Sequence, residues 1–143
     1  MICIGGISMR KETLSQRKAR MTNQSNEFQN KWKYYVLKYG PIIDEPFVND
    51  YRARIQLINI LDGMDHLNES VLSYKIDKLI DYCFCDRDYM IYYFLLGLFY
   101  ERMGMYNEAI YMYENILLYG YNDCLFITKL TNLYQHIKHT NIH

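Results

Sequence analysis

The apolar residues of this chain recur at spacings of three and four over most of its length, which is the period of an amphipathic helix rather than the alternation of a strand. The first such stripe begins after Ser25 or Asn26, either of which can cap a helix, and it ends at Gly40 and Pro41, a pair that terminates helices. Its members are Phe28, Trp32, Tyr35, Val36 and Tyr39. The pattern predicts a helix that begins near Ser25 and an all-α protein.

Two more helices are expected before the middle of the chain. Asp44 and the following Pro46 suit the first turn of a helix that stops around Gly63, and Asn68 or Glu69 opens the next helix. The buried stripes of these two helices are expected to be Phe47, Tyr51, Ile55, Ile58 and Leu61, then Val71, Leu72, Ile76, Leu79, Ile80 and Cys83. The acid-rich residues 85–88 are expected to form the following turn.

The last third of the chain predicts a helical hairpin. Residues 89–103 form a strongly apolar helix that Gly104 closes, and Asn107 is placed to cap a second helix that runs to about Leu118. Asn122 then opens a final helix, which is expected to end near His136. Two helices joined by a tight glycine turn form a hairpin.

Large and small residues in this hairpin follow a recognisable spacing, with the small Gly97 and Ala109 where two helices would cross closely. The full set is Tyr93, Leu96, Gly97, Tyr100, Gly104, Tyr106, Ala109, Tyr113 and Leu117. This spacing resembles one tetratricopeptide repeat (TPR), and the glycine-bearing end at residues 118–122 is similar to the Sel1-like variant of that family. Thirty-four residues further on, Ile127, Leu130, Thr131 and Tyr134 continue the register, as the start of a capping helix would.

The resemblance implies a fold and a division of the chain. We expect antiparallel helical hairpins in a TPR-like short solenoid of about five helices, closed by a C-terminal capping helix. Residues 1–24 are interpreted as a basic, flexible arm, residues 25–138 as the helical domain and residues 139–143 as a frayed tail.

The resemblance also implies a function, because TPR proteins bind peptides or partner helices in a concave groove. Here the first helix of the hairpin would line that groove, with Phe94 and Leu98 as apolar anchors. The expected partner-binding residues are Ile91, Phe94, Leu98, Glu101 and Arg102. Members that hold acidic chaperone tails carry lysines and asparagines at such places, so that specificity is not expected. The prediction is an adaptor or scaffold module for protein–protein interaction, without an indicated partner.

Charge suggests an alternative function. Residues 1–40 hold eight Lys or Arg against two acids, a balance of +6, whereas the remaining residues hold eight against fourteen, a balance of −6. A nucleic acid or another anionic surface could therefore bind through residues 10–38. The candidate residues are Arg17, Lys18, Arg20, Lys31, Lys33 and Lys38. A second alternative is a structural subunit of a larger assembly, and homo-oligomers fit either interpretation.

No arrangement of residues indicates catalysis or a bound metal. The sequence has no phosphate-binding glycine loop, nucleophile elbow or dinucleotide fingerprint, and no carboxylate is paired with a base in a recognisable pattern. Cys83 and Cys85 have one residue between them, whereas paired zinc cysteines prefer two to four. We therefore expect a protein that is not an enzyme and has no cofactor.

Cysteine usage and hydropathy indicate a compartment. The four cysteines form no disulfide framework, and the longest apolar run, residues 89–100, is shorter than the roughly 20 residues that span a bilayer. The expectation is a cytoplasmic protein in a reducing environment without a membrane span. Organellar targeting by residues 1–24 is the alternative, because this stretch is rich in Arg and Ser.

Overall fold

The computed structural model describes residues 12–44, 51–83 and 88–141, and these residues contain helices and no strands. The α-helices are α1 (Leu14–Tyr39), α2 (Pro41–Asp44), α3 (Tyr51–Gly63), α4 (Glu69–Cys83), α5 (Asp88–Arg102), α6 (Tyr106–Leu117) and α7 (Cys124–Asn141), with a 3-10 turn at Met64–His66. The all-α prediction is confirmed for this part of the chain. Contacts divide the chain into two compact units, Met1–Lys31 and Trp32–His143.

Helix α1 begins well before the predicted start at Ser25. The Thr13 hydroxyl accepts a hydrogen bond from the Gln16 backbone N–H at 3.0 Å, and the Gln16 side chain accepts one from the Thr13 N–H at 2.9 Å. This reciprocal pair is a capping box, which satisfies amide groups that a helix start leaves unpaired. The predicted boundary between residues 1–24 and 25–138 therefore falls inside a helix. The prediction missed it because it relied on apolar periodicity, and the side chains of residues 12–27 are exposed.

Glycines end three of the elements as predicted. Gly40, Gly104 and Gly120 have φ of +82°, +75° and +82°, a left-handed conformation that other residues rarely adopt. At the end of α5, the Gly104 N–H donates to the Glu101 carbonyl at 3.0 Å and the Met105 N–H to the Tyr100 carbonyl at 2.8 Å. This pair of bonds is a Schellman motif, which closes α5 and turns the chain into α6.

Two predicted helix caps are shifted, and one is confirmed. Asn68 caps α4 as expected, because its side chain accepts the Val71 N–H at 2.8 Å. The cap of α7 is Asp123 rather than Asn122, since Asp123 accepts the Leu125 N–H at 3.1 Å. Asn107 lies within α6, whose N-cap is Met105. Helix α7 also continues to Asn141, so the predicted frayed tail at residues 139–143 begins inside a helix.

The predicted buried stripes are largely confirmed. Trp32, Tyr35, Tyr39, Ile58, Leu61, Leu72, Ile76 and Leu79 are buried. Tyr51 and Val71 are instead exposed, because each stands at the start of its helix. Phe47 and the Cys83 side chain lie outside the described residues.

Helices α5 and α6 pack against each other more extensively than any other pair in the described chain. Their crossing depends on Gly97, because a Cβ atom at this position would overlap the ring of Tyr113. Tyr113 and Ala109 are fully buried on α6. The predicted close approach at Gly97 is therefore confirmed: the absence of a side chain on α5 makes room for the largest buried side chain of α6.

We expect Gly97→Ala to destabilise the protein by roughly 1–3 kcal/mol, because overlap with the Tyr113 ring outweighs the better helix propensity of alanine. Unfolding in urea, followed by circular dichroism, measures the change. The matched control is Gly63→Ala, where no atom lies within 4 Å of an added Cβ. Equal stability of the two variants would contradict the close approach.

Candidate partner-binding groove

The residues predicted to line a groove on α5 do not form an open surface. Ile91, Phe94 and Leu98 are only 1%, 1% and 3% exposed. The ring of Tyr39, at the end of α1, packs edge-on against Phe94 with their centroids 5.3 Å apart. The expected anchors Phe94 and Leu98, and Ile91 beside them, are therefore buried within the chain instead of open to a partner.

A groove with a volume of about 310 Å³ lies where α1 ends, between α5 and α7. Its apolar part consists of the buried rings of Tyr39, Phe94 and Phe126. Leu125, which is 44% exposed, adds an aliphatic side chain at the rim. The polar lining residues are Lys38, Thr128, Lys129 and Asn132. Of the five predicted partner-binding residues, only Phe94 lines this groove.

The two lysines of the groove are held differently. Lys129 forms an ion pair with Glu101, with Nζ 3.0 Å from Oε2. Lys38 lies over aromatic rings instead, 5.6 Å from the centroid of Tyr34 and 5.4 Å from that of Tyr39. Within the described ranges, no carboxylate reaches ion-pair distance of Lys38. Lys38 is therefore the positive charge of the groove that a ligand can neutralise.

Gly40 allows the end of α1 to approach the start of α7. A Cβ atom on Gly40 would lie 3.1 Å from the Asp123 carboxylate and 3.2 Å from a methyl group of Leu125. A side chain there would press against both groups, in a backbone conformation that already favours glycine. Gly40 thus ends α1 and also sets how closely Leu125 and Lys38 flank the groove.

A row of aromatic rings supports the groove from below. Tyr113 lies between two of the rings that line it, with its centroid 6.0 Å from that of Phe94 and 5.7 Å from that of Phe126. Its hydroxyl donates a 2.5 Å hydrogen bond to Glu101, the carboxylate that also binds Lys129. Tyr113 therefore positions both the apolar surface and one of the charges.

The other predicted residues lie elsewhere. Arg102 pairs with Asp65 in the 3-10 turn at 3.1 Å, and Glu101 reaches the groove only through Lys129. Arg20 on α1 is paired with Glu12 at 2.9 Å. The side chains of Arg17, Lys18, Lys31 and Lys33 are exposed on α1. Of the six basic residues proposed to bind anions, Lys38 alone lines the groove.

A second concave surface of about 260 Å³ lies between α3 and α4. Its lining residues are Gln56, Asn59, Ile60, Tyr74, Lys75 and Lys78. It has two lysines like the first groove, but its aromatic residue, Tyr74, is exposed and lies beneath Lys78, 5.0 Å from Nζ. This surface provides a matched position for control substitutions.

The described residues show neither a grouped set of metal ligands nor a membrane-spanning helix. Among the described residues, no three His, Cys, Asp or Glu side chains are grouped as a metal ion would require. The Cys83 side chain, Cys85 and His143 lie outside the described part, and Cys124 is exposed. No helix in the described ranges combines the length and apolar character needed to cross a bilayer.

Comparisons of the chain with models of known protein families, with curated proteins and with solved structures find no match.

The buried tyrosines predict an alkaline dependence of stability. Burial and the Glu101 carboxylate raise the pKa of Tyr113 well above its ordinary value of 10.0. Burial and a hydrogen bond to Glu69 raise the pKa of Tyr100 to about 12. Because the unfolded chain loses these protons first, stability should be fully present below about pH 10 and fall as the pH rises further.

We expect Tyr113→Phe to lower the free energy of unfolding by about 1 kcal/mol at pH 8, because the substitution removes the hydrogen bond to Glu101. The same variant should lose less additional stability than the parent protein above about pH 10, because one ionising group has gone. Urea unfolding across this pH range measures both effects. If the free energies of unfolding of the two proteins fell equally with rising pH, Tyr113 would not be the source of the alkaline effect.

Proposed function

We propose that this protein is an interaction module that binds a partner peptide, or one face of a partner helix, in the groove between the end of α1, α5 and α7. The observation that carries the proposal is the placement of Lys38, a lysine without a carboxylate partner among the described residues, beside Leu125 and the aromatic surface. An apolar surface with a few placed polar groups is the usual composition of a binding site.

The groove favours a particular kind of ligand. An apolar side chain of the partner would contact Leu125 at the rim of the groove, and a carboxylate within a residue or two would pair with Lys38. Thr128 and Asn132 on α7 offer hydrogen bonds to the backbone of an extended segment. The proposed ligand is therefore a short segment that combines an apolar residue with an acidic one.

We also propose that α5, α6 and α7 form a TPR-like unit with its cap. In support, Gly97 lies against Tyr113 where the repeat pattern requires a small residue. Helix α7 carries Leu130 in the buried position 34 residues after Leu96. In such an arrangement the groove on α5 and α7 is the concave face, and the end of α1 occupies part of it. The proposed role is binding without catalysis.

Selection of displayed random peptides on the intact protein tests this function, because it needs no known partner. We expect enriched peptides to share an acidic residue next to an apolar one. Lys38→Glu and Leu125→Asp should each raise the dissociation constant of the best peptide by about tenfold or more. The first substitution removes the charge pair, and the second removes the apolar contact.

Lys75→Glu is the matched control, because it makes the same charge change at the second concave surface, on α4. Its affinity should stay within about twofold of the parent protein, the difference left by distant screened charges. Peptides that bind the Lys38 and Leu125 variants as tightly as the parent would exclude the groove. Enrichment of polyacidic peptides whose affinity falls steeply with salt concentration would favour the anion-binding alternative.

A further inference from the structure

The groove contains two lysines but offers only one of their charges to a ligand, because Glu101 binds the other. The Oε2 atom of Glu101 lies 3.0 Å from Lys129 Nζ and also accepts the Tyr113 hydroxyl at 2.5 Å. The Glu101 and Lys129 side chains are only 20% and 29% exposed, so their ion pair is screened less than a pair at an open surface. The protein itself therefore neutralises Lys129, and Lys38 remains as the charge that a ligand can pair with.

Tyr113 keeps the Glu101 carboxylate at the groove. Its ring is fully buried and lies between the rings of Phe94 and Phe126. The hydroxyl has a fixed position, because a close-packed interior leaves the ring no room to turn away. A short hydrogen bond from this donor to a carboxylate is a strong one. The core thus decides where the negative charge of Glu101 lies, and the longer, flexible side chain of Lys129 meets it there.

Helix α7 relates this ion pair to the proposed ligand. Leu125 and Lys129 are four residues apart on α7, so they lie on one face of the helix and about 6 Å apart along its axis. An extended peptide covers that distance in about two residues. A ligand that runs along α7 with its apolar side chain on Leu125 would therefore bring the side chain two residues away to Lys129 and Glu101.

We propose that Glu101 determines specificity by restricting the groove to ligands with a single acidic residue, an inference that rests on the proposed function. A second acidic side chain of the ligand would meet Glu101, and the two carboxylates would compete for the one ammonium group of Lys129. Their repulsion is stronger in a partly buried groove than in bulk water, and a carboxylate left without a partner lowers affinity. Lys38 thus selects for one acid, and Glu101 selects against a second.

The chain contains a second carboxylate that provides a matched control. Glu69, at the start of α4, accepts the Tyr100 hydroxyl at 2.7 Å. It does not line the groove, and no Lys or Arg of the described ranges forms an ion pair with it. Replacing either glutamate by glutamine removes one negative charge and leaves an amide oxygen that can accept the tyrosine hydroxyl. Glu69→Gln and Glu101→Gln therefore change the core alike, but only the second frees Lys129.

Selection of displayed random peptides on the parent protein and on Glu101→Gln tests the proposal. We expect the parent to enrich peptides with one acidic residue, and Glu101→Gln to enrich peptides with a second acid about two residues from the apolar position. Two synthetic peptides that differ only by Glu or Gln at this second position then give a ratio of dissociation constants. The ratio should shift by about tenfold toward the Glu peptide in Glu101→Gln, and by less than about twofold in Glu69→Gln.

Substitution of Lys129 tests the same pair from its other side. Lys129→Gln alone should shift the ratio by about threefold or more toward the Gln peptide, because Glu101 is then left without its counter-charge. Adding Lys129→Gln to Glu101→Gln should return the ratio to that of the parent protein, since both charges have gone. Circular dichroism checks that each variant keeps its helices, and Lys129→Gln alone decides the question if Glu101→Gln does not fold.

The outcomes separate this inference from the proposed function. A purely structural role of Glu101 would weaken both synthetic peptides equally and leave their ratio unchanged, which would overturn the inference. Enrichment of polyacidic peptides by the parent protein would also overturn it. Single-acid peptides on both the parent and Glu101→Gln would overturn the inference and keep the proposed function, whereas no enriched peptide on either protein would overturn both.

Discussion

The contact between the ring of Tyr113 and the bare backbone of Gly97 is the constraint on which the C-terminal half of the protein depends. It sets the distance between α5 and α6, because the ring occupies the volume that a side chain on α5 would fill. Tyr113 then contacts Phe94 on one side and Phe126 of α7 on the other. One residue thus joins three helices, and its hydroxyl must find a partner because it is buried.

Glu101 is the partner of the Tyr113 hydroxyl, and it links the core to the surface. The Tyr113 hydroxyl donates to Glu101, and Glu101 also holds Lys129 at the edge of the groove. The carboxylate satisfies a buried donor and neutralises a lysine at once, which leaves Lys38 as the charge available to a ligand. Glu101 therefore affects the groove although it was expected to contact a partner directly.

The groove proposed for binding a partner depends on tertiary packing. The groove is a concavity left between packed helices, so its shape depends on buried rings such as Phe94 and Phe126. The groove therefore needs the folded unit Trp32–His143.

Local signals in the sequence determined most of the helices and the glycine turns at Gly40 and Gly104, because each depends on neighbours within a few residues. The need for a small residue at Gly97 was predicted instead from the repeat spacing across the hairpin, since it depends on Tyr113 of the next helix. The start of α1 was equally local, and Thr13 with Gln16 indicates it once capping is considered beside periodicity. The accessibility of the predicted site was decided by tertiary structure. Tyr39 covers Phe94 from 55 positions earlier in the chain, and periodicity within α5 shows which residues are apolar but not which distant helix covers them.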